Sequence, residues 1–179
     1  SSAVESVSGT IKDKNGNILV LYHKKCNAIS IPGGKVNSED HEAIFDALKR
    51  ELKEELDIEV LKARIVDVNT FLCKYPADGD TYTYFKDYNF EILEYAGTIK
   101  NNEPNKHDWL EYRSIDELLK ENITIVLRNS IEALKNEAAK YDTTDSDYYS
   151  ISNHLLFEGY AKDVNIIKNI KNAICFSFL

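Results

Sequence analysis

The sequence predicts an α/β fold in which a mixed sheet lies between helices. Three observations carry this. Residues 4–12 and 18–22 are rich in strand formers and flank Lys14-Asn15-Gly16-Asn17, a strong hairpin signal. Residues 40–56 contain no Gly or Pro and consist mostly of good helix formers. Strand-like and helix-like segments then keep alternating along the chain, an order that implies helices packed on a sheet.

Each element has a local reason. For the helix at 40–56, Ser38 or Asp40 is placed to cap the start. Glu39, Asp40 and Glu42 suit the positive end of its dipole. Residues 58–71 are rich in Val and Ile with partial alternation, and residues 81–93 alternate Tyr, Phe and polar side chains, so both read as strands. Tyr75-Pro76-Ala77-Asp78-Gly79-Asp80 between them reads as a turn. Residues 107–113 predict a short strand. Ser114 is placed as an N-cap with Glu117 completing a capping box, and residues 125–140 predict another amphipathic helix. Residues 1–140 form one domain in this reading, and residues 141–179 a C-terminal extension. Residues 142–147 read as an exposed linker, and residues 148–160 and 162–173 as helices, with Ile166, Ile167, Ile170 and Ile174 at helical spacing. The extension is expected to pack on the domain; a homodimer contact or a lid is the sharper alternative.

The chemistry concentrates in Arg50-Glu51-Leu52-Lys53-Glu54-Glu55, which follows the turn Pro32-Gly33-Gly34-Lys35. At about 100° per residue, Ile44 and Leu48 share an azimuth with Glu51 and Glu55, and Glu54 lies on the flank. A face that begins apolar therefore becomes acidic toward the helix C-terminus, where both burial and the dipole disfavour anions. Arg50 offsets only part of that charge. A divalent cation is the natural remainder, and oxygen ligands suit Mg²⁺ or Mn²⁺.

Residues 34–58 resemble the signature of the Nudix hydrolases. That pattern runs Gly, five residues, Glu, seven residues, Arg-Glu, apolar, any residue, Glu-Glu, any residue, Gly, apolar. Glu42, Arg50, Glu51, Leu52, Glu54, Glu55 and Ile58 match in place. Seven residues, not five, separate Gly34 from Glu42, and Asp57 stands where the family usually has Gly. Asp tolerates a left-handed turn better than most residues, so the helix is still expected to end there. The resemblance implies an α/β/α sandwich over residues 4–140. It also implies metal ligation by Glu51, Glu54, Glu55 and the Gly34 carbonyl, with Arg50 orienting Glu51.

The resemblance extends to Glu103-Pro104-Asn105-Lys106, which is similar to a segment of nucleotide-hydrolysing members that precedes an acid near the metals. Asp108 is the matching acid here, with Glu103 and Glu111 as competitors. Glu54 or Asp108 is implied as the catalytic base. Tyr75, Trp109 and Lys35 are candidates for substrate binding, and Tyr82 and Tyr84 for stacking. His107 reads as a polar loop residue, and His23, His41 and His154 show no ligand spacing.

Whole-chain quantities agree. The chain has 179 residues, 43% apolar and 29% charged, as expected for a single soluble globular domain. A net charge of −8 argues against gripping long nucleic acid. Cys26, Cys73 and Cys175 form an odd, scattered set that reads as free thiols in a reducing compartment, so the cytoplasm is expected. No signal peptide is visible, and residues 166–179 are too short and interrupted to span a membrane. The expected function is a Mg²⁺- or Mn²⁺-dependent pyrophosphohydrolase acting on a nucleoside diphosphate linked to another group. A nucleoside triphosphate and a diadenosine polyphosphate are the leading substrates. The alternative from another class is a nucleotide-binding or sensor module of the same fold without turnover.

Overall fold

The computed structural model describes residues 3–74 and 82–135, and the backbone of 141–143. Strands β1 (Val4–Thr10), β4 (Gly33–Lys35), β5 (Glu59–Cys73), β6 (Thr83–Ala96) and β8 (Tyr141–Thr143) form one sheet in the order β4-β1-β6-β5-β8. Strands β2 (Ile18–His23), β3 (Ala28–Ser30) and β7 (His107–Arg113) form a second, in the order β3-β2-β7. Only β1 and β6 run parallel, so the larger sheet is mixed, as expected.

The turn at residues 13–17 forms as predicted. Asp13 Oδ1 accepts from the Asn15 and Asn17 amides, and Gly16 takes φ 81°. The two flanking strands nevertheless do not make a simple hairpin. Beyond the Lys12–Ile18 bridge they diverge into different sheets. The reason is that β1 has both edges occupied, by β4 and β6. β2 therefore pairs with β3 and β7.

Helix α1 (Ile44–Leu56) begins later than the sequence suggested. Residues Ser38–Asp40 form a separate 3-10 turn, closed by His41 at φ 55°, and the extra loop length lies there. Neither Ser38 nor Asp40 caps α1; its N-cap is Ala43, without a side-chain bond. Its end is as expected, with Asp57 left-handed at φ 57° and its amide bonded to the Lys53 carbonyl. Helix α2 (Ile115–Leu118) starts at Ser114, whose hydroxyl accepts from the Glu117 amide at 3.2 Å. Helix α3 (Ile125–Lys135) follows; the remainder of the predicted 125–140 helix lies outside the described residues. So do the predicted turn at 75–80, the rest of the extension from 144 onward and Cys175.

Two apolar clusters hold the layers together. α1 presents Phe45, Leu48, Leu52 and Leu56 to Leu19, Tyr88 and Phe90 in one. The other joins Ile18, Val20, Ile29 and Ile31 to Leu118, Leu127 and Ile131 beneath α2 and α3. The apolar stripe of α1 thus continues to its last turn, and the acidic residues lie along its edge. Among the described residues no helix is long and apolar enough to cross a membrane.

Leu52 is fully buried on the stripe that fixes α1 against the sheet. Leu52→Ala is expected to lower stability by about 2–5 kcal/mol, from lost transfer energy and the cavity left behind. Chemical denaturation checks this; a loss below the lower bound would mean that α1 is anchored elsewhere.

Candidate active site

The last turns of α1 carry the acidic residues under the short strand β4. The fit between them is close. A Cβ on Gly34 would collide with the Glu51 carboxyl, and one on Gly33 would collide with the Val7 carbonyl. Only glycine lets this backbone pass over the carboxylates. The Gly33 amide donates to Glu55 Oε1 at 3.4 Å.

Arg50 organises the cluster. Its guanidinium donates to Glu42 at 2.8 and 3.0 Å, to Glu51 Oε1 at 2.9 Å and to Glu54 Oε2 at 3.3 Å. It also donates to the Lys35 carbonyl at 2.8 Å, tying the helix to β4. Glu42 in turn accepts from the Asn37 amide at 2.9 Å, so it fastens the loop as well as the arginine. Hydrogen bonds from Arg50 hold the Glu42 carboxyl below its ordinary range.

Glu51 and Glu55 behave oppositely. Burial is the largest influence on each and raises both above the usual carboxylate range. Glu55 is only 5% exposed and is raised well above that range, with repulsion from Glu51 and Glu103 adding to burial. Glu54 faces outward, with half of its side chain exposed.

The segment after β6 is pinned to the end of α1. The Asn102 side chain donates to the Glu54 carbonyl at 3.0 Å, its amide to the Glu55 carbonyl at 2.9 Å, and the Lys100 amide to the Leu56 carbonyl at 3.1 Å. These bonds satisfy carbonyls that a helix end leaves open. They bring Glu103 close enough to act on Glu51 and Glu55, with Lys106 on Glu103 at 2.8 Å. The next residue, His107, lies in the strand expected over 107–113 and is not the polar loop residue also expected. It opens β7 and is 4% exposed, with Nε2 4.0 Å from Glu55 Oε2. Burial, aided by the His23 ring 5.7 Å away, lowers its pKa to about 4, so it is neutral at pH 7. Asp108 pairs with Lys24 at 3.1 Å, and Glu111 with Arg113 at 2.8 Å. Of the three acids weighed from the sequence, the fold brings Glu103 to the cluster.

On the other side of β4 lies a cavity of about 310 Å³, bordered by Gly33, Gly34 and Lys35. Phe71 and Phe85 line it, with ring centroids 5.8 Å apart and 23° between planes. Ser6, Ser8 and Asp87 line it as well. Trp109 does not; it packs against Tyr22, with the Arg113 guanidinium 4.2 Å over its ring. Tyr82 is exposed and Tyr84 half-buried, and Tyr75 lies outside the described residues. Sequence reasoning missed Phe71, Phe85 and Asp87. A signal for the last was present, because polar residues alternate at 87, 89 and 91 on a strand otherwise rich in aromatics.

The acid cluster suits a hard divalent cation. Glu51 and Glu55 are both raised by burial; Arg50 offsets the charge of Glu51, Glu55 is raised further by repulsion from Glu51 and Glu103, and the Gly34 backbone passes directly over the Glu51 carboxyl. Among the described residues no three acidic, His or Cys side chains close around a cation unaided. A hard divalent cation held there would take one or two of these carboxylates together with water and substrate phosphates.

A family profile, the Nudix domain, matches residues 4–134. The fold resembles the MutT Nudix hydrolase from Burkholderia pseudomallei at 22% identity and a TM-score of 0.61, over 75% of this chain and 99% of that one. The MutT protein from Methanosarcina mazei Go1 gives 21% identity and a TM-score of 0.61, over 75% of this chain and 94% of that one. The Nudix domain of Shewanella oneidensis NrtR, solved with ADP ribose, gives 9% identity and a TM-score of 0.61, over 78% and 90%. A comparison with curated protein sequences finds no match. The matched profile spans most of the chain, including the Arg50 cluster and strands β1 to β7, and the chain therefore belongs to the Nudix family, as a hydrolase acting on phosphoric anhydride bonds.

Proposed function

We propose that the chain is a Mg²⁺-dependent pyrophosphohydrolase that cleaves a nucleoside diphosphate linked to another group. Nucleoside triphosphates and diadenosine polyphosphates are the first substrates to test. One observation carries this reading. An arginine-clamped acid cluster and an aromatic-lined cavity lie on either side of one glycine strand. A nucleotide spans such a pair, with its base in the cavity and its phosphates at the acids. Cys26 and Cys73 are in no disulfide among the described residues, which suits a reducing compartment such as the cytoplasm.

Glu51, Glu54, Glu55 and the Gly34 carbonyl would hold the cation. Bound there, it would neutralise charge on the phosphate oxygens and lower the pKa of the attacking water. Arg50 fixes Glu51 and Glu54 in place by charge-assisted hydrogen bonds. Glu54 is the outward-facing carboxylate of the cluster, and it takes the proton from the attacking water. Asp108 is the competing base and must first leave Lys24. Lys35 borders both the cavity and the cluster and positions the phosphate chain between them.

Hydrolysis is expected to need Mg²⁺ in the millimolar range, or less Mn²⁺, and to yield products cut within a pyrophosphate linkage. Full activity in excess chelator, or release of phosphate from monoesters alone, contradicts the proposal. Nucleotide binding without turnover over the substrate panel would make the chain a binding module instead.

Glu54→Gln and Glu55→Gln are each expected to reduce kcat by about two orders of magnitude or more. Metal-free stability at neutral pH should hold for Glu54→Gln and rise for Glu55→Gln, because the wild-type carboxylate is buried against Glu51. Arg50→Gln should lose activity and also about 2–3 kcal/mol of stability, since its partners are left facing one another. Paired assays of kcat and denaturation midpoint separate these outcomes. Near-full activity in both Glu variants refutes the assignment, and Asp108→Asn then tests the competitor.

His107 gives a pH signature in the metal-free protein. Its folded pKa of about 4 lies below the ordinary 6.5, so folding favours the neutral ring. The stability it contributes is full above pH 6.5 and is lost as the pH falls through about 4. An NMR titration of the imidazole should find it neutral at pH 6, and a midpoint near the ordinary value would falsify the burial argument.

A further inference from the structure

Ser6, Ser8 and Thr10 alternate along β1, and Asp87, Asn89 and Glu91 alternate along β6. Parallel pairing sets Ser6 beside Asp87, Ser8 beside Asn89 and Thr10 beside Glu91. All of these side chains are buried. Part of the ladder is accounted for within the fold, while Thr10 Oγ1 and Asn89 Oδ1 are buried without a hydrogen-bond partner. Glu91 meets Lys12 at 3.0 Å, and Asn89 bonds to Ser130 of α3. Asp87, at the end that lines the cavity, differs.

Asp87 is 3% exposed, and its polar partners among the described residues are two hydroxyls. Ser6 Oγ donates to Oδ1 at 2.8 Å and Ser8 Oγ to Oδ2 at 2.7 Å. Its charged neighbour is Asp67, which repels it. Burial raises its pKa to about 6, and the serine bonds work against that rise. Above that pH the group is a carboxylate in a cavity, bonded to two hydroxyls, and Lys35 and Lys74 also border the cavity. Such a charge is costly unless a ligand supplies donors. Each carboxylate oxygen accepts about two hydrogen bonds, so each keeps one free after serine donation. The serines also fix the plane of the carboxylate. Phe71 and Phe85 add a flat apolar wall to the same cavity.

We propose that Asp87, held by Ser6 and Ser8, is a specificity-determining residue that selects a base presenting two adjacent N–H donors, as guanine does through N1–H and N2–H. Adenine places a ring-nitrogen acceptor beside its amino donor, and that lone pair meets the carboxylate. This inference rests on the reading of the chain as a nucleotide pyrophosphohydrolase, but it concerns the base and not the phosphates. It favours guanine nucleotides over diadenosine polyphosphates.

Calorimetric binding of GMP, IMP and AMP to the full chain tests it without requiring turnover. GMP is expected to bind about 10- to 100-fold more tightly than AMP, the discrimination typical of one bidentate pair. IMP lacks the 2-amino group and should fall between them. Asp87→Asn replaces one acceptor by a donor and should bring GMP down to the level of AMP. The kcat/KM ratio for GTP over ATP with Mg²⁺ should follow the same order. Equal affinity for GMP and AMP in the wild type, or no binding of any of the three, overturns the proposal, and neither result depends on the variant folding. A binding preference without hydrolysis of either triphosphate overturns the catalytic reading and leaves the base selection standing.

Discussion

The close passage of the β4 backbone over Glu51 and Glu55 is the constraint on which the rest of the site depends. A Cβ at 33 would meet the Val7 carbonyl, and one at 34 would displace the Glu51 carboxyl from its place on Arg50. The passage also requires that two acids stay buried side by side. Apolar contacts of Phe45, Leu48, Leu52 and Leu56 hold α1 in that position against the electrostatic penalty. Arg50 then decides how the acids are arranged. It is bonded to Glu42, Glu51 and Glu54 and to the Lys35 carbonyl, so helix, preceding loop and β4 share one cation. Stability and function pull in opposite directions here. The fold supplies rigid placement, and the residual charge is what a divalent cation can satisfy.

The end of α1 ties this cluster to the second sheet. Asn102 and Lys100 occupy the open carbonyls of Glu54, Glu55 and Leu56, so the chain leaving β6 cannot drift from the acids. Asp57 turns the helix with a left-handed backbone and is held by Lys53 at 2.9 Å. This segment leads directly into β7, and His107 enters the core beside Glu55. A neutral imidazole there is a polar wall without charge, and it adds no compensation to the buried carboxylates.

Much of this was legible in sequence, for physical reasons that differ between elements. α1, β7 and the Ser114 cap were readable because periodicity and capping are local properties. The acid cluster was readable because its spacing is fixed by helix geometry. Strands β3 and β4 were not, since three residues are too few to show alternation and Gly33-Gly34 opposes strand propensity. The separation of β1 from β2 was hidden too, because β6, distant in sequence, takes the edge that a hairpin partner would use. The start of α1 was misplaced because acidic residues near 39–42 resemble a first turn. Glu42 instead reaches Arg50 from the loop before the helix. His107 and Trp109 show the same limit, as their surroundings are set by Glu55, Tyr22 and Arg113 from other segments.

The glycine strand separates two environments that a substrate must join. On one side Glu55 is raised in pKa by burial and by its acidic neighbours; on the other, burial and Asp67 raise Asp87. Both hold buried acids, and both are built around paired strands of the larger sheet. β1 links them directly, since Val7 and Ser8 pair with Gly34 and Gly33 while Ser6 and Ser8 hold Asp87. Under the proposed reading, a nucleotide held through its base is referenced to the same strand that positions the acids. Such shared registration lets binding energy from a remote group act on the geometry at the phosphates. It requires no moving part, only a backbone that two side-chain clusters grip from opposite sides.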